Sequence, residues 1–260
     1  MSNARIYTGV GGWTYEPWRG GNFYPEGLPH SQELAWSSRR MTAVEVNGTF
    51  YSTFKAPTFA KWRDETPEGY VFALKAHRST TNRRELGSAR EAIDRFLGSG
   101  VEELGAKLGP ILWQMMPTKQ FDAADFEAFL ALLPPKVGSL PLRHVLEVRH
   151  RSFEVPEYLA LARRYGCATV HTDSPKYAHI ADDQAPFAYL RLMCSEPDRA
   201  TGYAPEALDA WAAGAKAWTS GDKARDAFCF FINGAKERAP AAATAFLQRI
   251  AGTPGRARES

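Results

Sequence analysis

Short apolar runs recur along the chain, and most end in a charged or amide residue just before a helical stretch. Val44 runs into Glu45 and Asn47, Val71-Phe72-Ala73-Leu74 into Lys75, His77 and Arg78, and Ile111-Leu112-Trp113 into Gln114. Val145-Leu146 leads to Glu147, Arg149 and His150, Thr169-Val170 to His171 and Asp173, and Tyr189-Leu190 to Arg191. The last run, Phe228-Cys229-Phe230-Phe231-Ile232, ends in Asn233. Runs rich in β-branched and aromatic residues, alternating with amphipathic helices, predict βα units around a parallel sheet. Strands are expected at 6–11, 43–46, 71–75, 111–114, 145–147, 168–171, 188–192 and 227–232. Helices are expected near 31–40, from Pro57, over 88–104, after Asp122, and over 156–164, 205–219 and 240–250. Residues 174–186 carry no helical pattern, so the sixth unit is expected to be degenerate. The count of units predicts an α/β fold, a single (β/α)8 TIM barrel.

A doubly wound open sheet alternates strands and helices in the same way. Its nucleotide-binding forms carry a glycine fingerprint at the first βα turn. Here Gly9-Val10-Gly11-Gly12-Trp13 has no third glycine in register and enters a long aromatic loop instead. The barrel is the better reading.

In a closed parallel barrel the strand C-termini share one face, and that face carries the active site. Side chains two apart on a strand point the same way. With Val44 and Val46 facing the helices, Glu45 and Asn47 face the barrel axis, and Glu147 and Arg149 do likewise. A carboxylate buried there without a partner costs several kcal/mol, on the order of a broken buried ion pair, so Lys75, Arg149 and Arg191 are its expected partners. Three chemistries fit this set. Glu45 and Glu147 suit a general acid/base pair assisted by Lys75. Lys75, Arg149 and Arg191 suit an anion clamp. Glu45, Glu147, His171 and Asp173 suit a divalent metal, but no compact ligand motif backs that reading and the interleaved cations oppose it. An internal ion-pair network filling the barrel top is the structural alternative for the same residues. Aromatic residues crowd the loops after strands 1 and 2, among them Trp13, Trp18, Tyr24 and Tyr51. They suit a stacking wall, or simply two loops packed together.

Composition changes little in this picture. The 260 residues are 44% hydrophobic and 23% charged with a formal net charge of +3, as in an ordinary globular protein. No apolar run has the ~18 residues of a membrane span, and Met1-Ser2-Asn3-Ala4-Arg5 lacks a signal-peptide core. Cys167, Cys194 and Cys229 are odd in number and set in apolar sequence, which predicts buried reduced thiols and a cytoplasmic protein. Residues 1–251 are expected to form one domain, and 252–260, rich in Gly, Pro, Arg and Ser, a disordered tail.

Several motifs in order resemble the DUF72 family, also called YecE-like proteins, over nearly the whole chain. They are Gly12-Trp13-x-Tyr15-x-x-Trp18 with Phe23-Tyr24-Pro25, and Val44-Glu45-Val46-Asn47-x-Thr49-Phe50-Tyr51. Next come Phe72-Ala73-Leu74-Lys75-Ala76-x-Arg78, Leu104-Gly105-x-Lys107-Leu108-Gly109-Pro110 and Gln114. The series ends with Leu146-Glu147-x-Arg149-His150, Asp173-Ser174 and Tyr189-x-Arg191. The resemblance implies a TIM barrel and supplies no reaction, because the family is named for its unknown function. Two departures stand out: Met193-Cys194 where the family usually has His-Gly, and Gly234 after Asn233 where it tends to have a second polar residue.

The expected function is an enzyme of hydrolase or lyase type acting on a small polar, anionic substrate at the strand C-terminal face. Glu45, Glu147 and Lys75 are the expected catalytic groups. Trp13, Asn47, Tyr51, Arg78, Gln114, Arg149, His150, Asp173, Arg191 and Asn233 are the expected substrate contacts. No metal, cofactor or membrane is called for. The alternative is a nucleotide- or nucleic-acid-binding accessory protein without turnover, and a metal-dependent phosphoesterase comes third.

Overall fold

The computed structural model describes residues 4–252; the rest of the expected tail, from residue 253, lies outside the described residues. Eight parallel strands form one sheet: β1 (Ile6–Val10), β2 (Ala43–Val46), β3 (Val71–Lys75), β4 (Leu108–Gln114), β5 (His144–Glu147), β6 (Ala168–Thr172), β7 (Ala188–Leu192) and β8 (Ala227–Phe231). Their order is β1-β8-β7-β6-β5-β4-β3-β2. β1 and β2 then meet across a seam that rolls the sheet into the expected TIM-like barrel. The Thr42 N–H donates to Thr8 O (3.0 Å) and the Gly12 N–H to Glu45 O (2.9 Å) across it. Gly9 allows this approach, since a Cβ there would sit 1.8 Å from the Ala43 carbonyl oxygen.

Period-two alternation sorts the strand residues into two layers. Val71, Ala73, Leu112, Val145, Ala168, Val170, Tyr189, Phe228 and Phe230 pack together inside the barrel. Small Ala43, Ala73 and Ala168 leave room for the three large rings, which fill the lower barrel as a solid core. The alternate residues face outward: Val44, Phe72, Leu74, Ile111, Trp113 and Leu146 meet one set of helices, and Leu190, Leu192, Cys229 and Phe231 the other.

Those helices are α1 (Glu33–Ser37), α2 (Gly48–Tyr51), α3 (Ala56–Glu65), α4 (Arg90–Leu97), α5 (Ala123–Leu130), α6 (Pro156–Arg164), α7 (Pro205–Trp218) and α8 (Ala239–Ala251). Proline sits in the first turn of α3, α6, α7 and α8, where its missing N–H costs nothing. The Asp122 carboxylate caps α5 by accepting from the Asp125 N–H at 2.9 Å. No helix is found in residues 174–186, so the sixth unit is degenerate as expected.

Three expectations need correction. The helix expected over 88–104 stops at Leu97, where Gly98-Ser99-Gly100 follows, and resumes as a 3-10 segment, Val101–Lys107. β4 starts at Leu108 rather than Ile111, because its register against β3 shifts between Phe72 and Leu74. Gly109-Pro110 lies in that bulge, and proline has no N–H to lose there. Cys194 is exposed, while Cys167 and Cys229 are buried as expected. Among the described residues no helix is long and apolar enough to cross a membrane.

Candidate active site

The inward positions turn polar at the top of the barrel: Glu45 on β2, Lys75 on β3, Gln114 on β4, Glu147 on β5 and Arg191 on β7. Each follows an apolar inward residue two positions earlier, so alternation alone aims them at the axis. Arg191 is 2% exposed and is the hub. Its Nε and Nη2 donate to the two carboxylate oxygens of Glu45, both at 2.9 Å, and its Nη1 donates to Glu147 Oε1 at 2.6 Å. The Tyr189 hydroxyl donates to Glu45 Oε2 at 2.9 Å. The Gln114 amide donates to Glu147 Oε2, and Arg149 Nη2 reaches Glu147 Oε1 at 3.4 Å. Burial raises the Glu147 carboxyl, but Arg191, Arg149, Gln114 and Lys75 outweigh it and hold the group at about 2. Burial works against the Arg191 charge too, and Glu147 and Glu45 more than compensate. Neither glutamate lines the cavity above. The expected acid/base pair is instead the floor of the site, with Glu147 fixed in its ionised form and unable to donate a proton near neutral pH. For these three residues the internal ion-pair network is the arrangement present. Arg191 likewise gives its guanidinium to two carboxylates, so it is not the surplus cation of an anion clamp.

A cavity of about 330 Å³ opens above this floor. Asn47, Tyr51, Lys75, Gln114, Arg149 and Asn233 line it, together with the edge of Arg191. Tyr177 and Lys236 line it as well. Lys75 is 5% exposed, and its ammonium makes no hydrogen bond or ion pair among the described residues; its Nζ lies 3.9 Å from the centre of the Phe50 ring. Burial and the nearby Arg191 charge lower it to about 8, although Glu45 and Glu147 pull the other way. Arg149 stacks its guanidinium 4.4 Å over the Tyr177 ring, and its buried Nε has no hydrogen-bond partner among the described residues. Lys236 is held by its neighbours: the Trp18 indole N–H donates to its carbonyl oxygen at 2.8 Å, and its ammonium lies 4.5 Å from the centre of the Tyr15 ring. Burial lowers its pKa also.

Four expected contacts lie elsewhere. Trp13 meets Trp62 edge-on at 5.1 Å, within the packing between loop and helix. Trp18 and Tyr24 are fully buried, so the aromatic loop is packing, with Tyr51 the exposed ring at the mouth. His150 caps a short 3-10 turn, its Nδ1 accepting from the Ser152 N–H at 3.1 Å; His77 does the same for Ser79 after β3. Arg78 is exposed at the rim of that turn. Asp173 accepts from the Met193 and Cys194 N–H groups (2.6 and 3.2 Å) and from the Tyr203 hydroxyl (2.8 Å), a strut between the ends of β6 and β7. His171 faces outward against Trp211 and Trp218 of α7. Among the described residues no three His, Cys, Asp or Glu side chains are placed to hold one metal ion.

Tyr177 and Lys236 were not legible as site residues, since both sit in irregular segments past a strand end. The position of Lys236, three residues beyond Asn233 at the end of β8, was the available clue. Gly234 also finds its reason here. It has φ +80° and pairs with Ser195, and a Cβ would lie 2.4 Å from the Ser195 carbonyl oxygen.

The fold and the motifs agree with the chain's relatives. The family model described as protein of unknown function DUF72 matches residues 7–259, and the chain belongs to that family. It is 26% identical over 211 residues to the UPF0759 protein YunF of Bacillus subtilis, covering 79% of this chain and 66% of YunF. It is 24% identical over 148 residues to the UPF0759 protein YecE of Escherichia coli, covering 57% of this chain and 50% of YecE. The matches thus span about two thirds and about half of those relatives. The crystal structure of a DUF72 family protein from Thermotoga maritima superposes with a TM-score of 0.76 at 22% identity, covering 95% of this chain and 100% of that one.

Proposed function

We propose that this chain is an enzyme of lyase or hydrolase type that takes a small organic anion into the cavity at the barrel top. The observation that carries this reading is the sign of the lining. Lys75, Arg149, Lys236 and the edge of Arg191 line the cavity without a single carboxylate, and the amides of Asn47, Gln114 and Asn233 complete it. Two glutamates below against four cations around leave a surplus of positive charge. In a partly closed site that surplus favours an anion. Arg149 Nε, without a hydrogen-bond partner among the described residues, supplies a donor with an unmet demand. Lys75 is the reacting group, since its buried ammonium has no carboxylate partner among the described residues, and a lowered pKa gives it a reactive amine fraction near neutral pH. Binding without turnover is the competing reading. A turnover screen against small carboxylates and phosphate esters separates the two. Catalysis in the wild type that vanishes in Lys75→Met, with ligand binding retained, supports the enzyme. Tight binding with no turnover of any bound ligand supports the accessory role.

A further inference from the structure

We propose that Lys75 forms a covalent Schiff base with the carbonyl carbon of a small substrate that also carries a carboxylate or phosphate, the anionic group being held by Arg149 and Lys236. This deepens the reading of the cavity as an anion site and rests on it. The geometry has three parts. The Lys75 amine is almost fully buried, faces the cavity and has neither a carboxylate nor a carbonyl partner among the described residues. A lysine with a structural task would be paired, as Lys107 is, donating to the carbonyl oxygen of Thr66 at 2.6 Å. Its apolar contact is the Phe50 ring, and the neighbouring cation is Arg191, so both desolvation and like charge favour the neutral amine. These are the two ways a lysine nucleophile is activated. Finally, Arg149 and Lys236 line the same cavity, whose volume of about 330 Å³ holds a small organic anion with room to spare.

The step balances simply. The Lys75 amine attacks the carbonyl carbon, forming a C–N bond and a carbinolamine. The carbonyl oxygen then leaves as water, taking both hydrogens of the neutral amine through solvent exchange, and a C=N bond remains. Protonation of that nitrogen gives an iminium that draws electrons from the adjacent carbon, the requirement of lyase chemistry. Hydrolysis reverses the sequence and frees Lys75. The carboxylates beneath are not needed as acids, in keeping with the fixed ionisation of Glu147.

Borohydride trapping tests this on the whole protein. Pyruvate and dihydroxyacetone phosphate serve as the carbonyl probes, and lactate and glycerol 3-phosphate as their alcohol counterparts. Peptide mass mapping should locate a reduced adduct on Lys75 with at least one carbonyl probe and no adduct with either alcohol. Inorganic phosphate should compete with labelling, and Lys75→Arg, which keeps the charge at the site, should lose the label. The groups facing the amine are Glu45, Glu147, Arg149 and Arg191. The labelling rate should rise about tenfold per pH unit and level off near pH 8, where Lys75 titrates at about 8. Label spread over surface lysines, or surviving in Lys75→Arg, overturns the proposal. Anion probes that raise the melting temperature while leaving Lys75 unlabelled also overturn it, and leave the anion site standing. If none of the four probes nor phosphate stabilises the protein, the anion site itself falls.

Discussion

The floor and the wall of this site are built from the same residue types and have opposite chemistry. In the floor, Arg191 binds Glu45 through two nitrogens and Glu147 through a third, and Tyr189, Gln114 and Arg149 take up further carboxylate valences. Every charge there has a partner inside the protein. In the wall, Lys75 has no acceptor among the described residues, Arg149 keeps a buried Nε unpaired, and Lys236 rests on aromatic rings. Pairing makes the floor rigid and inert. Pairing is incomplete in the wall, where Arg149 reaches Glu147 through Nη2 alone at 3.4 Å, and that costs stability and leaves positive charge for a ligand to neutralise. Strained or unsatisfied groups persist where function requires them.

The largest expected effect breaks the floor. Arg191→Met leaves Glu45 and Glu147 buried without their cation, which costs about 3–5 kcal/mol. Urea denaturation of that variant should show the loss, or the variant should fail to accumulate folded. Stability close to wild type would mean that the network contributes little.

Acid comes next, through Glu147. Its folded pKa of about 2 lies below the ~4.3 of a free glutamate. The stabilisation is therefore fully present above pH ~4.3 and lost as pH falls toward about 2, by up to about 3 kcal/mol. Denaturation midpoints followed between pH 5 and pH 2 measure it; a Glu147→Gln variant should show a shallower fall over that window.

Lys75 gives pH dependence of the same sign, but its charged form costs stability at neutral pH where that of Glu147 contributes it. Its folded pKa of about 8 lies below the ~10.4 of a free lysine, so the unfolded chain holds more protons between those values and stability rises with pH across that window. Lys75→Met removes a desolvated charge and should leave the protein unchanged or stabilised by about 1 kcal/mol at neutral pH. A loss of stability instead would place Lys75 in the structural network with Arg191. The smallest effect belongs to Arg78, which lies exposed outside the cavity. Arg78→Ala should change stability by less than about 0.5 kcal/mol and leave anion binding intact.

Much of this architecture was legible in the chain. Strand alternation alone put Glu45, Lys75, Gln114, Glu147 and Arg191 on the axis, because a closed parallel barrel leaves each strand one inward face. It failed past the strand ends. His171 sits at an outward position of β6 and packs on α7, and Asp173, two residues on, bonds the backbone after β7 rather than the cavity. His77 and His150 lie where the chain has already turned into 3-10 segments, so each ring caps its own turn. Tyr177 and Lys236 enter from irregular loops that carry no period to read. Which cations pair with carboxylates and which stay open was also hidden. That depends on angstrom-scale reach across the barrel, and Arg191 rather than Lys75 makes the bidentate contact to Glu45.

The central claim is that the wall cations await an anion while the floor cation does not. Thermal scans across phosphate concentration, at fixed ionic strength, test it most directly in the wild type and in Arg149→Met/Lys236→Met. A ligand bound by the native state alone raises apparent stability by mass action. The wild-type melting temperature should therefore climb with phosphate, and that of the folded double variant should stay flat. Equal responses in the two proteins, or none in the wild type, would contradict the account.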